Sequence, residues 1–361
     1  MNHLQLIKTL WPLAALCTTL GCAGPTTPFG TPNLFTEKGV PGTFSGDTAA
    51  TQSVKIKFFP QRQVLHGKVD FKIIIEDPVG IGPDYRIRLF YNKLDVSEKF
   101  LWQAKRVFIN QEHTKLQLTV PNLRIQPLKT NHVYFGYMRN INTKPIFAIY
   151  TPPSCSVFSA GTLASSHEIG MPFGVKTMIQ AMGEEEKINP NFIAGLVAQE
   201  SGFDTKAVSW AKAIGLTQIT PLGEAEVIKT YKGWPRYPDI NQMSLPLIRM
   251  RVMRGKINSK NEWRLNPEYS IRGGTAYVKF LNNYWHKQEN FQKLINTSND
   301  PERALSSAIL ASYNSGPARV NYALQRFGNG WLQDAPELGE ARLYVARVTS
   351  YCDYFSQEEG P

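Results

Sequence analysis

Apolar and polar residues alternate with a period of two over residues 52–151 of the chain. Val54, Ile56 and Phe58 form one such run, and Val69, Phe71, Ile73 and Ile75 a second. Tyr85, Ile87, Leu89 and Tyr91 form another, with shorter runs at 106–109, 116–120, 133–138 and 146–150. Turn signals at Asp77-Pro78, Gly82-Pro83-Asp84 and Thr130-Asn131 separate them. Successive strand side chains point to opposite faces, so this spacing predicts short strands with one face turned inward. Beyond Thr151-Pro152-Pro153-Ser154 the spacing becomes helical. Val175, Met178, Ile179 and Met182 share one helix face ahead of the acidic run at 184–186. Asn189-Pro190 predicts a helix start, with Asn as N-cap and Pro at the first helical position. That helix carries Phe192, Ile193, Leu196 and Val197 on its buried side and ends at Glu200-Ser201-Gly202. More helices are predicted near 268–285, 301–313, 317–327 and 339–355.

About seven short strands in roughly a hundred residues predict an all-β, immunoglobulin-like sandwich over 52–151. A mainly α domain over 152–361 follows it. The β region shows no catalytic constellation: His66, His113 and His132 are scattered and read as surface or core histidines. It reads as a spacer or as a binding module, for instance for a protein partner. Residues 22–51 are rich in Gly, Pro and Thr with few apolar anchors, which predicts a flexible tether.

Ahead of the tether, Lys8 precedes an apolar run over 10–20 that is too short to span a bilayer. It reads as the core of a signal peptide over 1–21. Thr19-Leu20-Gly21-Cys22 resembles a bacterial lipoprotein lipobox, with Thr19 where Leu is usual. The resemblance implies lipidation of Cys22; ordinary cleavage near Ala23 is the alternative. Ala23 after the cysteine implies retention at the outer membrane of a Gram-negative envelope. The chain is thus expected to be exported, periplasmic and held to a membrane through its lipid. Of the four cysteines, Cys17 lies in the signal segment and Cys22 at its end. That leaves Cys155 and Cys352 as a disulfide pair in an oxidising compartment, the alternative being two buried thiols. So long a closed loop stabilises by about 4–5 kcal/mol in the chain-entropy model.

The chain has 40 Lys and Arg against 29 Asp and Glu, a formal net charge of +11. A basic surface suits nucleic acid, an anionic membrane or a carboxylate-rich polymer. No zinc-ligand spacing, base-reading basic helix or aromatic RNA-binding motif occurs, so nucleic acid is not expected.

Glu200 ends a strongly apolar helix. A carboxylate on the rim of a packed helix is partly desolvated, which raises its pKa, as a general acid on a glycosidic oxygen requires. Around it the sequence resembles the soluble lytic transglycosylase family, family 23 of the glycoside hydrolases, related to goose-type lysozyme. Four motifs occur in the family's order. They are Glu200-Ser201-Gly202-Phe203, with Ala207 and Ser209 following; Gly215-Leu216-Thr217-Gln218-Ile219-Thr220-Pro221; Ala311-Ser312-Tyr313-Asn314-Ser315-Gly316-Pro317; and Glu340-Ala341-Arg342-Leu343-Tyr344-Val345. Thr217 stands where the family usually has Met, and Ala341 where it generally has Thr. Asn266-Pro267-Glu268, Ile271, Gly274 and Tyr277 match the helix before the third motif.

The resemblance implies a lysozyme-like fold for the α domain and cleavage of the β-1,4 bond between N-acetylmuramic acid and N-acetylglucosamine in peptidoglycan. Glu200 would protonate the leaving oxygen, then act as base while the sugar's own 6-hydroxyl closes on C1, giving a 1,6-anhydro end. Ser201 and Gln218 would contact the sugar, Gly215 would let backbone approach it, Tyr313 and Asn314 would line the site, and Tyr344 would orient Glu200. Neither metal nor organic cofactor is implied. A muramidase of the same fold, with Glu224 or Glu226 as a second acid, is the alternative; a non-catalytic wall-binding protein is another. The stretch at 222–265 is longer than the family usually needs. Its Lys229, Lys232, Arg236, Arg249, Arg251, Arg254, Lys256, Lys260 and Arg264 are expected either to grip substrate carboxylates or to form a solvated basic loop.

Overall fold

In the computed structural model, the residues described are 54–59, 64, 67–125, 132–150, 152–164 and 170–357. The expected signal segment, Cys22 and the tether lie outside them.

The period-two residues pair into two four-stranded antiparallel sheets. Strands β1 (Lys55–Phe59), β2 (Gly67–Glu76), β6 (Lys115–Ile125) and β5 (Lys105–Phe108) make one sheet in the order β1-β2-β6-β5. Strands β4 (Leu94–Asp95), β3 (Arg86–Tyr91), β7 (Val133–Met138) and β8 (Ile146–Tyr150) make the other, in the order β4-β3-β7-β8. One turn of helix, α1 (Ser97–Leu101), follows β4. Register places Phe71 opposite Val120, Ile73 opposite Leu118 and Ile75 opposite Leu116, all fully buried. These meet Leu89, Val133, Phe135 and Tyr137 of the second sheet in one core, where Phe71 and Tyr150 touch edge to face at 4.9 Å. The register shifts between Val69 and Phe71, opposite Pro121 and Asn122. A bulge there lets β6 run past a residue that cannot donate to the ladder.

The helical region comprises α2 (Phe173–Glu186), α3 (Pro190–Ser201), α4 (Pro221–Thr230), α5 (Leu245–Met253), α6 (Pro267–Trp285), α7 (Gln288–Ile295), α8 (Pro301–Ser315), α9 (Pro317–Phe327), α10 (Trp331–Asp334) and α11 (Gly339–Ser356). Proline stands in the first turn of α3, α4, α5, α6, α8 and α9, where its missing N–H costs nothing. Asn189, Thr220, Asn266 and Asp300 cap α3, α4, α6 and α8 through their side-chain oxygens. Among the described residues, no helix is long and apolar enough to cross a membrane.

Helix α3 is buried at every position from Pro190 to Val197, so it forms the centre of the helical core rather than a half-exposed layer. Its closest neighbour is α11. A Cβ on Gly195 would lie 2.8 Å from the Val348 carbonyl oxygen and 2.9 Å from the Cys352 nitrogen. The absent side chain is what lets the two backbones meet. Cys352 of α11 is bonded to Cys155, with Cα atoms 5.9 Å apart. The disulfide closes a loop across 197 residues of sequence and joins the segment after β8 to α11.

The stretch between α4 and α6 carries its own small core of Ile240, Ile248, Val252, Ile257 and Leu265, packed on Ile214. It is a folded subdomain built around α5.

Candidate active site

Glu200 lies in the last turn of α3, and the chain reverses immediately after it through Gly202 (φ 57°) and Phe203 (φ 67°). Phe203 is buried and meets Phe355 of α11 edge to face. The left-handed turn is thus anchored by an aromatic side chain at a backbone conformation that glycine adopts more readily. Because α3 and α11 run antiparallel in close contact, Tyr344 comes level with Glu200. Its hydroxyl donates to Glu200 Oε1 at 2.5 Å.

Glu200 as a whole residue is half-buried, yet burial dominates the behaviour of its carboxyl and pushes it up to about 7. The Tyr344 hydrogen bond pulls the other way, by favouring the charged form. A carboxyl poised there is divided between acid and base near neutral pH, as a group that must first give and then take a proton requires. Tyr344 and Tyr313 both hold their hydroxyl protons well beyond the usual phenol range. Burial is the largest cause for each, and the Glu200 charge the next. Both are therefore hydrogen-bond donors, and Glu200 faces two phenols.

Tyr313 sits in the last turn of α8 and donates to the Thr217 carbonyl at 2.7 Å. Tyr277 of α6 packs edge to face on its ring at 5.3 Å. Thr217, in place of the expected Met, is 1 % exposed and donates through its hydroxyl to the Ser270 carbonyl at 2.8 Å. Its methyl fills the space that a Cβ on Gly274 would occupy. A smaller polar residue is thus accommodated by a bonded partner on α6, and the Thr217 carbonyl stays aimed at Tyr313.

The other expected site residues fall into place unevenly. Ser201 adjoins Glu200 and donates to the Val197 carbonyl at 3.2 Å. Asn314 follows Tyr313 and accepts from Ser315. Gln218 has a left-handed backbone (φ 47°) and is 7 % exposed. Its amide nitrogen is engaged by the carbonyls of Gly215 at 2.8 Å and Ala207 at 3.1 Å. Only its side-chain oxygen remains to meet a ligand. Gly215 (φ 80°) is required for a different contact from the one expected. A Cβ there would lie 1.8 Å from the Arg264 carbonyl oxygen, so the glycine lets this chain's own backbone approach.

The candidate second acids are also resolved. Glu224 is 4 % exposed, accepts from Asn241 at 2.7 Å and pairs with Arg264 at 3.4 Å. Arg264 is fully buried and also bonds Glu262 at 2.7 Å. Glu226 pairs with Lys229 at 2.6 Å, but its charge reaches Tyr277 and helps to raise that phenol, after burial. The basic residues of the insert are not all surface charges free to meet a ligand. Arg264 is interior, Arg249 donates to the Val208 carbonyl, and Arg251 donates to the Tyr237 hydroxyl. Sequence reasoning missed Gly195, Thr217 as the acceptor of Tyr313, and the burial of Arg264. A glycine inside an otherwise apolar helix was the signal available for the first.

Residues 177–331 match the family described as Transglycosylase SLT domain, a range that holds Glu200, Gln218, Tyr313 and Asn314 and ends before Tyr344. The chain is similar to the membrane-bound lytic murein transglycosylase C of Actinobacillus pleuropneumoniae, 27% identical over 143 residues, which are 40% of this chain and 31% of that protein. It is also similar to the endo-type membrane-bound lytic murein transglycosylase A of Enterobacter sp., 26% identical over 148 residues, 39% of this chain and 58% of that one. The match to the first thus spans under a third of that relative's length. Among solved structures, the 70 kDa soluble lytic transglycosylase of Escherichia coli aligns over 51% of this chain and 24% of its own, with TM-score 0.32 and 20% identity.

Proposed function

We propose that this protein is a peptidoglycan lytic transglycosylase that cleaves the β-1,4 bond between N-acetylmuramic acid and N-acetylglucosamine, with Glu200 as its acid and base. The observation that carries the reading is a single carboxyl raised to about 7, held by Tyr344 inside an SLT domain. In its protonated form Glu200 gives its proton to the oxygen leaving C1 of N-acetylmuramic acid. The resulting carboxylate takes the proton of the same sugar's 6-hydroxyl as that oxygen bonds C1. A 1,6-anhydro product forms, no water is consumed, and one group serves both steps. Tyr344 steadies the carboxyl through both proton states, and Ser201, Gln218, Tyr313 and Asn314 contact the sugars.

Hydrolysis usually employs a second carboxylate. Glu224 is committed to Arg264 and Asn241, which argues against it in that role. Glu226 is the acid whose charge reaches the aromatic side of the site through Tyr277, and it carries the muramidase alternative. Mass spectrometry of muropeptides released from purified sacculi separates the readings. Products one water lighter than hydrolytic ones, absent with Glu200→Gln, are expected; reducing-end products would move the assignment to a muramidase with Glu226 next to test.

The finer placement belongs to the same reading. Lipidation at Cys22 anchors the protein on the periplasmic side of the outer membrane, supported by the lipobox-like sequence. Metabolic labelling with a palmitate analogue, lost in Cys22→Ala, tests it. The strand orders β1-β2-β6-β5 and β4-β3-β7-β8 correspond to the two sheets of an immunoglobulin-like sandwich, which supports that class for the β region. Its role is that of a spacer or partner-binding module.

A further inference from the structure

Between α4 and the segment 234–242 lies an open cavity of about 470 Å³. That volume falls within the range of ligand sites, about 300–1,000 Å³. Glu224, Trp234, Arg236, Tyr237, Asp239 and Asn241 line it, with Pro221 at its edge. Pro221 is separated from Gln218 by at most about 11 Å of extended chain, so the cavity begins where the second motif ends.

Its floor is fixed. The Glu224 carboxylate is 4 % exposed and held by Asn241 and by Arg264, which is itself locked to Glu262. Its rim is not. Arg236 and Asp239 are exposed and of opposite charge, and neither side chain has a partner among the described residues. Close in sequence, they do not pair with each other. A ligand bearing both a carboxylate and an ammonium group would satisfy both.

The aromatic residues argue against a sugar here. Tyr231 and Tyr269 stack parallel on Trp234, at 4.1 Å and 4.8 Å, so the indole offers no free face to a pyranose ring. Tyr237 has Arg251 over its ring at 5.8 Å. What the cavity presents is charge, amide groups and ring edges.

We propose that this cavity binds the charged stem peptide of a peptidoglycan strand whose glycan lies at Glu200, with Arg236 receiving a carboxylate and Asp239, backed by Glu224, receiving an ammonium group. The proposal rests on the reading that peptidoglycan is the polymer bound. It makes the insert at 222–265 a determinant of which strands are cut, by sensing whether peptide is attached.

The test separates this site from the catalysis. The full chain is titrated calorimetrically with a sugar-free stem tripeptide, L-alanyl-γ-D-glutamyl-meso-diaminopimelate, alongside Arg236→Ala, Asp239→Asn and Glu200→Gln. Saturable binding, weakened about tenfold or more by each rim substitution and unchanged by Glu200→Gln, is expected. Circular dichroism confirms that the two exposed-site variants are folded. Absence of peptide binding, or binding that ignores both substitutions, overturns the proposal. Because the probe has no glycosidic bond, neither result depends on turnover. Failure to release any product from sacculi would count against the catalytic reading alone. Where product is released, the rim variants should raise KM on peptide-bearing strands and leave KM unchanged on strands stripped of peptide.

Discussion

Gly195 of α3 lies so close to the Val348 carbonyl of α11 that a Cβ would come within 2.8 Å of its oxygen. This contact sets the spacing at which Tyr344, one turn before Val348, reaches Glu200 at 2.5 Å. Alanine is the better helix former by about 1 kcal/mol. Overpacking against backbone atoms, which cannot rotate away, costs about 1–3 kcal/mol. Gly195→Ala is therefore expected to lower stability and also to lower activity, because any separation of the helices stretches the bond to Glu200. Thermal unfolding and the rate of muropeptide release measure the two effects. Improved stability would show that the helices accommodate the methyl.

Tyr344→Phe isolates the hydrogen bond. In the proposed mechanism Glu200 must carry its proton to start the reaction, so the rate should fall as pH rises through about 7. The Tyr344 bond lowers that pKa, so its loss moves the falling limb to higher pH. The maximal rate should also drop about tenfold or more, since the carboxyl loses its orientation. A profile that keeps its shape would assign Tyr344 to packing only.

The raised carboxyl also has a cost in folding. Its pKa rises from the ordinary 4.5 to about 7, so below 4.5 both folded and unfolded chains hold the proton and nothing is lost. Between 4.5 and about 7 the unfolded chain ionises first, and stability falls as pH rises; above about 7 the full penalty is present. Glu200→Gln removes it. Discounted for a half-buried residue, the variant should be more stable than the native protein by about 2 kcal/mol at high pH and equal to it in acid. Urea unfolding at the two extremes of pH gives the comparison.

Glu224→Gln addresses the buried pair. Arg264 keeps Glu262 but loses half its compensation, so the expected loss is on the order of 3 kcal/mol in stability. The released products should remain of the anhydro type. A change in product type would reinstate Glu224 as a participant.

The regular elements of the helical region were legible because their signals are local. Asn189-Pro190 announces the start of α3, and the helices expected near 268–285, 301–313, 317–327 and 339–355 appear as Pro267–Trp285, Pro301–Ser315, Pro317–Phe327 and Gly339–Ser356. In the β region the alternating runs became strands, while β4 and α1 are too short to leave a period. Of the site, Glu200 stood out through its motif, and the structure brings Tyr344 to it from 144 positions away. What escaped was whatever depends on the partner across space. Arg264 counts as one more positive charge in a basic stretch until Glu224 and Glu262 are seen around it. Gly215 reads as room for substrate until the Arg264 carbonyl is found occupying that room.

Because Tyr344 and Cys352 both belong to α11, a nascent or truncated polypeptide that stops short of Gly339 contains Glu200 but none of the groups that steady it. Such a fragment also leaves the Gly195 side of α3, the most buried helix, without its covering helix. The pair of Glu200 and Tyr344 is thus completed only when the last helix docks, so on the proposed mechanism a chain cut ahead of Tyr344 is expected to be inert.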